Sequence, residues 1–169
     1  MAPTSIKVSA RYGSHLPALL QAVLKTRGPI LELGVGMFST AALHALCVPA
    51  ARRLVTIENN KHWHGWGAQY ASANHEVICV RDWDEAPIEQ PWDVALVDHS
   101  PDARRAIEIE RLAPYACIII AHDADTKYWH QYGYERAFAR FKHRLLYDAV
   151  EPATMILSNH SLKDFWVPI

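Results

Sequence analysis

Five short runs of apolar residues recur along the chain, and each ends in glycine or polar residues. Ile30-Leu31-Glu32-Leu33 leads into Gly34-Val35-Gly36, Arg53 to Ile57 into Glu58, and Glu76 to Val80 into Arg81-Asp82-Trp83-Asp84. Trp92 to Val97 leads into Asp98-His99-Ser100-Pro101, and Tyr115 to Ala121 into His122-Asp123. These runs are apolar at successive positions rather than alternate ones, which predicts strands buried on both faces of a parallel sheet. Helical segments separate them. Leu16, Leu19, Leu20, Val23 and Leu24 recur at helical spacing until Thr26-Arg27-Gly28-Pro29 stops the helix. Ser39 to Leu46, Lys61 to Ser72, Ala103 to Leu112 and Tyr134 to Lys142 read as further helices, with Gly65 and Gly67 weakening the second of these four.

The last two strands, His143 to Val150 and Thr154 to Ser158, are joined only by Glu151-Pro152-Ala153. That gap is too short for a crossover helix, so the pair is antiparallel. The expected architecture is α/β: a mostly parallel sheet with an antiparallel C-terminal hairpin, in one domain over residues 1–169 without linker or repeat. Parallel strands bring their C-terminal ends to one edge, where open α/β sheets bind ligands. The polar residues that close the five runs collect there.

Half of the 169 residues are apolar, enough to fill one core between a sheet and its helices. Seventeen basic against eighteen acidic residues leave no field for a nucleic-acid backbone. Met1 to Gly13 lacks a leader-like apolar stretch, and the longest apolar run, Ala113 to Ala121, is far too short to span a bilayer. A soluble, cytoplasmic protein with no membrane partner is expected. The three cysteines are too far apart for a zinc knuckle, and Cys79 and Cys117, inside strand-like runs, are expected to be buried. Most of the ten histidines are expected in solvated loops and on helix faces, leaving those at strand ends for chemistry. Arg136, Arg140, Lys142 and Arg144 read as a solvated helix face.

A glycine turn after the first strand lets backbone amides approach a ligand closely. The turn at Gly34-Val35-Gly36 lacks the third glycine of a dinucleotide fingerprint, and Glu32 would repel a pyrophosphate at the helix start. A ligand bearing a cationic amino acid fits better. Glu58, one βαβ unit further on, stands where a carboxylate accepts from ribose hydroxyls. Turn and carboxylate together point to a nucleoside-containing ligand.

From about Ile30 to Ser158 the chain resembles the class I S-adenosylmethionine-dependent methyltransferases, most of all the catechol O-methyltransferase-like branch. Ile30-Leu31-Glu32-Leu33-Gly34 is similar to the first motif of that branch, and Leu54-Val55-Thr56-Ile57-Glu58 to its second-strand motif. Asp93-Val94-Ala95-Leu96-Val97-Asp98-His99 and Ile118-Ile119-Ile120-Ala121-His122-Asp123 resemble its fourth- and fifth-strand motifs. The resemblance implies a Rossmann-like three-layer sandwich with a seven-stranded sheet. It places Glu32, Gly34 and Gly36 around the methionine part of the cofactor, Ser39 near its carboxylate, Glu58 on the ribose, and Asp82, Trp83 and His99 beside adenine, with Asp98 next to them. It also implies a divalent cation, magnesium or another, at Asp98, His122 and Asp123; in place of the branch's lysine base, which is absent here, His122 or His99, alongside Asp98, is expected to serve.

Three departures mark this chain. His122 stands where the branch has an aspartate, Ser100-Pro101 replaces a frequent lysine, and the glycine turn is one residue shorter. The histidine opens the site to manganese, iron or zinc. The expected activity is methyl transfer to oxygen on a small hydroxylated or phenolic acceptor; a cofactor-binding module without turnover, or methylation of RNA or protein, are the alternatives. Asp125 to Tyr134, rich in aromatic groups, is expected at the mouth of the acceptor pocket, with Asn159 and His160 on its rim. Little sequence precedes the first strand beyond one helix, so the acceptor side is expected to be open, covered by a second copy in a homodimer, or without turnover.

Overall fold

In the computed structural model, which describes residues 9–167, seven strands form one sheet. They are β1 (Ile30–Leu33), β2 (Leu54–Glu58), β3 (His75–Cys79), β4 (Trp92–Val97), β5 (Ala116–Ala121), β6 (His143–Tyr147) and β7 (Thr154–Ser158). Their order is β3-β2-β1-β4-β5-β7-β6. The first five are parallel, and β7 runs antiparallel to both β5 and β6. The order reverses between β1 and β4, which opens a crevice at the strand ends. The expected absence of a leader in Met1 to Gly13 concerns, for its first eight residues, positions outside the described ones.

The central strands feed two cores. Leu31, Leu33, Val55, Ile57, Ala95 and Val97 point to the face covered by α4 (Arg105–Leu112) and α6 (Tyr134–Phe138). Ile30, Leu54, Val94 and Leu96 point to the opposite face, against α1 (Leu16–Lys25) and α2 (Ser39–Cys47). Burial on both sides is why the strands read as continuous apolar runs. Among the described residues no helix is long and apolar enough to cross a membrane.

Two helices are shorter than the sequence predicts. Asn60 caps α3 (Lys61–Gly67), accepting from His62 and Trp63 N–H, and after Gly67 the chain tightens into a 3-10 turn at Ala68–Tyr70. Glycine in a helix interior costs about 1 kcal/mol against alanine, and Gly65 and Gly67 end this one early. The short α5 (Trp129–Tyr132) precedes α6, with Gly133 at φ 71° breaking them apart. Cys79 and Cys117 are exposed, because the first lies on an edge strand and the second near the N-terminal start of β5; only Cys47 is buried.

Gly34 fixes the geometry of the crevice. Its φ is 94°, and a Cβ there would lie 2.7 Å from Asp98 O and 2.8 Å from the His99 Cα. The turn after β1 thus packs backbone on backbone against the end of β4. A Gly34→Ala variant is expected to lose at least about 2 kcal/mol, from the left-handed φ and the forced retreat of Asp98. Gly36→Ala, where a Cβ would meet the Ser39 side-chain hydroxyl and not backbone, costs less. Urea denaturation of the two variants measures the difference.

Candidate active site

A cleft of about 1130 Å³ opens over the strand ends. The Gly34–Met37 turn and Glu58 line one side, Asp98, Arg105, His122 and Asp123 the other. Glu58 is held by three backbone amides: its Oε2 accepts from Val35 N–H at 2.9 Å, and its Oε1 from Asn59 and Asn60 N–H at 2.8 and 2.7 Å. A carboxylate has about four acceptor positions, so Glu58 both locks the glycine turn and keeps one lone pair for a hydroxyl. Trp63, 40% exposed on α3, adds an aromatic face to the same wall.

Glu32 and Ser39 lie behind the turn, outside the cleft lining. Glu32 is fully buried and accepts from Thr40 and Thr56 hydroxyls at 2.9 and 2.7 Å. Thr56, having donated to Glu32, accepts from His75 Nε2 at 2.9 Å, and His75 Nδ1 meets His44 Nδ1 at 3.1 Å. Burial, followed by the charge of His44, lowers the His75 pKa to about 4, so its Nδ1 accepts from His44. Burial also raises Glu32 to about 7 against the pull of the surrounding hydroxyls. The acidic residue of the first strand thus anchors the turn from below.

Asp82 and Trp83 also lie outside the lining. Asp82 caps a 3-10 turn by accepting from Asp84 N–H at 3.0 Å, with its carboxylate 3.8 Å from Arg104. Trp83 belongs to the core, donating to Ser100 O at 2.8 Å and meeting the His99 ring edge-on at 4.0 Å. His99 reaches Glu108 through Nε2 at 3.1 Å, and its buried Nδ1 has no partner. Burial outweighs Glu108 and lowers the His99 pKa, so the ring is neutral, with Nε2–H donating and a lone pair on Nδ1.

Opposite the turn, Arg105 knits two strand ends together. Its guanidinium lies 3.1 Å from Asp98 Oδ1 and 2.7 Å from Asp123 Oδ2, and its Nε donates to His99 O at 2.8 Å. Asp98 and Asp123 therefore share a guanidinium, and a metal held by Asp98, His122 and Asp123 does not fit. His122 Nδ1 lies 2.8 Å from Asp98 Oδ1, and its Nε2 2.8 Å from the Ser14 hydroxyl. Ser14 spends its proton on Pro152 O at 2.8 Å, so His122 Nε2–H must donate to Ser14. With that proton committed, a second one makes the contact to Asp98. Burial opposes that proton, but the hydrogen bond and charge of Asp98 prevail and raise the His122 pKa. Asp98 in turn is held below the usual carboxylate range, since His122 and Arg105 outweigh burial. His122 is consequently a cation here, with no lone pair to act as base.

The aromatic segment turns away from the cleft. Tyr134 is buried against Phe138 and donates to His122 O at 3.2 Å, while Tyr128 stacks on Tyr132. His130 to Gly133 border a separate depression of about 510 Å³ beside α4. Asn159 and His160 fall at the opposite sheet edge, because antiparallel β7 ends beside the start of β5, with Ser158 facing Ile118.

No known protein-family model and no curated protein matches the sequence. Among solved structures, the chain is similar to TomG from Streptomyces achromogenes, an O-methyltransferase involved in tomaymycin synthesis, solved with S-adenosylmethionine. The TM-score is 0.63 at 19% identity, covering 91% of this chain and 82% of that one. The methyltransferase PaMTH1 of Podospora anserina, bound to S-adenosylhomocysteine, gives 0.63 at 14%, covering 90% and 80%. The O-methyltransferase from Bacillus cereus, also with S-adenosylhomocysteine, gives 0.59 at 17%, covering 92% and 84%. The fold is that of the S-adenosylmethionine-dependent methyltransferases.

Within this methyltransferase fold, sequence reasoning missed Arg105, Trp63 and His15. Arg105 sits on an amphipathic helix and reads as solvated until its packing against two strand-end carboxylates is known. His15, 1% exposed, precedes α1 and has no buried partner for either ring nitrogen.

The Glu32 pKa predicts a pH dependence. A carboxyl raised from 4.5 to about 7 by burial adds stability that is full below its unfolded pKa and is lost as pH rises toward 7. Glu32→Gln carries no such loss. Its stability relative to the parent is expected to rise by roughly 2–3 kcal/mol between pH 5 and pH 8, at about 1.4 kcal/mol per unit. Denaturant titrations at the two pH values check this.

Proposed function

We propose that the chain transfers a methyl group from S-adenosylmethionine to an oxygen of a small hydroxylated or phenolic acceptor. The observation that supports this most is the meeting, in one cleft, of the Glu58-locked glycine turn with a rigid charged cluster at the ends of β4 and β5. Gly34 and Gly36 leave room for the amino-acid end of the cofactor at the turn. Glu58 Oε2 takes a ribose hydroxyl on its remaining lone pair, and Trp63 offers a stacking face to the adenine.

Methyl transfer from a sulfonium is an in-line displacement, in which sulfur keeps the electrons of the breaking bond and the acceptor oxygen forms the new one. The protein has to align the two and take up the acceptor proton. His99 is the base in this reading: it borders the cleft, Glu108 fixes its ring through Nε2–H, and its Nδ1, buried without a protein partner, keeps a lone pair. Arg105 and the His122 cation set the charge around the acceptor oxygen and favour it as an anion. No step passes through a metal at Asp98 and Asp123, whose shared partner is Arg105.

Calorimetry with S-adenosylhomocysteine is expected to show one site, weakened at least tenfold by Glu58→Ala and less by Trp63→Ala. Labelled S-adenosylmethionine offered with a panel of catechols and phenols is expected to give an O-methyl product. His99→Gln is expected to lower kcat by about 10²-fold or more while leaving S-adenosylhomocysteine affinity unchanged. Tight cofactor binding without transfer to any hydroxylated acceptor contradicts the catalytic half of the reading; no binding contradicts all of it.

A further inference from the structure

His15 enters the charged cluster from the N-terminal side, and nothing in the methyl-transfer reading uses it. It lies at the N-cap of α1, one residue after the serine that orients His122. Its ring is 1% exposed, neither nitrogen has a hydrogen-bond partner, and Nδ1 stands 3.7 Å from Asp98 Oδ2. Burying an imidazole with two unsatisfied nitrogens costs free energy that a structural role would not repay. The ring packs edge-on against His122 at 4.7 Å, so two imidazoles and one carboxylate converge.

We propose that His15, Asp98 and His122 bind a single divalent transition-metal ion. One donor atom from each lies within 4.8 Å of the others. Bonds of about 2.1 Å to nitrogen and oxygen place ligand atoms up to about 4 Å apart, so the set closes with small side-chain shifts. The second shell is already built. Ser14, bound to Pro152 O, accepts His122 Nε2–H and so aims Nδ1 at Asp98, the orienting bond that metal-ligating histidines usually make.

Charge and donor chemistry select the ion. Asp98, Asp102 and Asp123 surround the Arg105 guanidinium, which leaves two negative charges; a divalent ion that displaces the His122 Nδ1 proton balances them with both imidazoles neutral. Two nitrogens and one oxygen suit zinc, cobalt, iron or manganese over magnesium. Arg105 keeps the ion off Asp123, so the ion sits on the His15 side of Asp98. Three protein ligands leave at least one position open, and Asp98 and His122 line the cleft. Bound there, the ion ties the start of α1 to the ends of β4 and β5. An ion bound here takes over from the His122 cation as the positive charge beside Asp98, and its uptake is measured without cofactor or acceptor, so failure of this test leaves the methyl-transfer reading standing.

The test uses the tag-free full chain, stripped with chelator and titrated with Co²⁺ alone. The expected result is one tight equivalent, with visible bands of a nitrogen-ligated, low-coordinate ion, and paramagnetic broadening of the His15 and His122 ring signals in NMR. His15→Gln and Asp98→Asn are expected to weaken uptake at least 100-fold, and Ser14→Ala about tenfold. Asp123→Asn is expected to change it less than threefold. Absence of stoichiometric uptake by the parent chain, uptake unchanged in His15→Gln, or uptake lost in Asp123→Asn but kept in His15→Gln overturns the proposal. Should a variant fail to fold, as judged by circular dichroism, the NMR broadening in the parent chain decides.

Discussion

The close approach of Gly34 to the backbone of Asp98 and His99 is the constraint from which the cleft follows. Only a residue without a Cβ, at a φ of 94°, lets the end of β1 rest directly on the end of β4. On one side of that contact, the turn is within reach of Glu58, which clasps it through Val35 N–H. On the other, Asp98 is held where Arg105 and His122 converge on it. The Glu58-clasped turn and the charged cluster are two consequences of a single steric fact.

The cluster also shows how this chain departs from the pattern that its strand-end residues resemble. An arginine from α4 bridges the carboxylates at the ends of β4 and β5, so positive charge is supplied covalently where the resemblance implies a cation. A buried cation between two carboxylates is rigid, and losing one partner leaves the other uncompensated, typically at a cost of about 3–5 kcal/mol. Such a cluster is preorganised: in the proposed reaction it need not reorganise when charge develops on the acceptor oxygen.

Much of the fold was legible because burial on both faces leaves an unmistakable run of apolar residues. The strands, the antiparallel end and the gathering of Gly34, Glu58, Asp98, His99, His122 and Asp123 at one edge follow from that pattern and from short connections, whereas the order of the strands does not. What stayed hidden depends on side-chain direction. Trp83 and Asp82 follow β3 at the right place for a ligand, yet a one-turn 3-10 helix tips the indole into the core and leaves the carboxylate outside. Glu32 alternates to the face below the turn, where Thr40 and Thr56 claim it. Arg105 lies on a helix, and His15 just before one, whose periodicity marks an apolar stripe and says nothing of which polar residue at its border is drawn inward. Asn159 and His160 were displaced by direction alone, since an antiparallel strand delivers its end to the wrong edge.

The central claim is that the locked turn and Glu58 together hold an adenosyl sulfonium facing the Asp98 cluster. A crystal structure grown with S-adenosylhomocysteine tests it most directly. The account predicts density for the whole compound in the cleft, a ribose hydroxyl on Glu58 Oε2 and the thioether sulfur turned toward Asp98. An empty cleft at saturating compound, or the compound bound elsewhere on the protein, contradicts it.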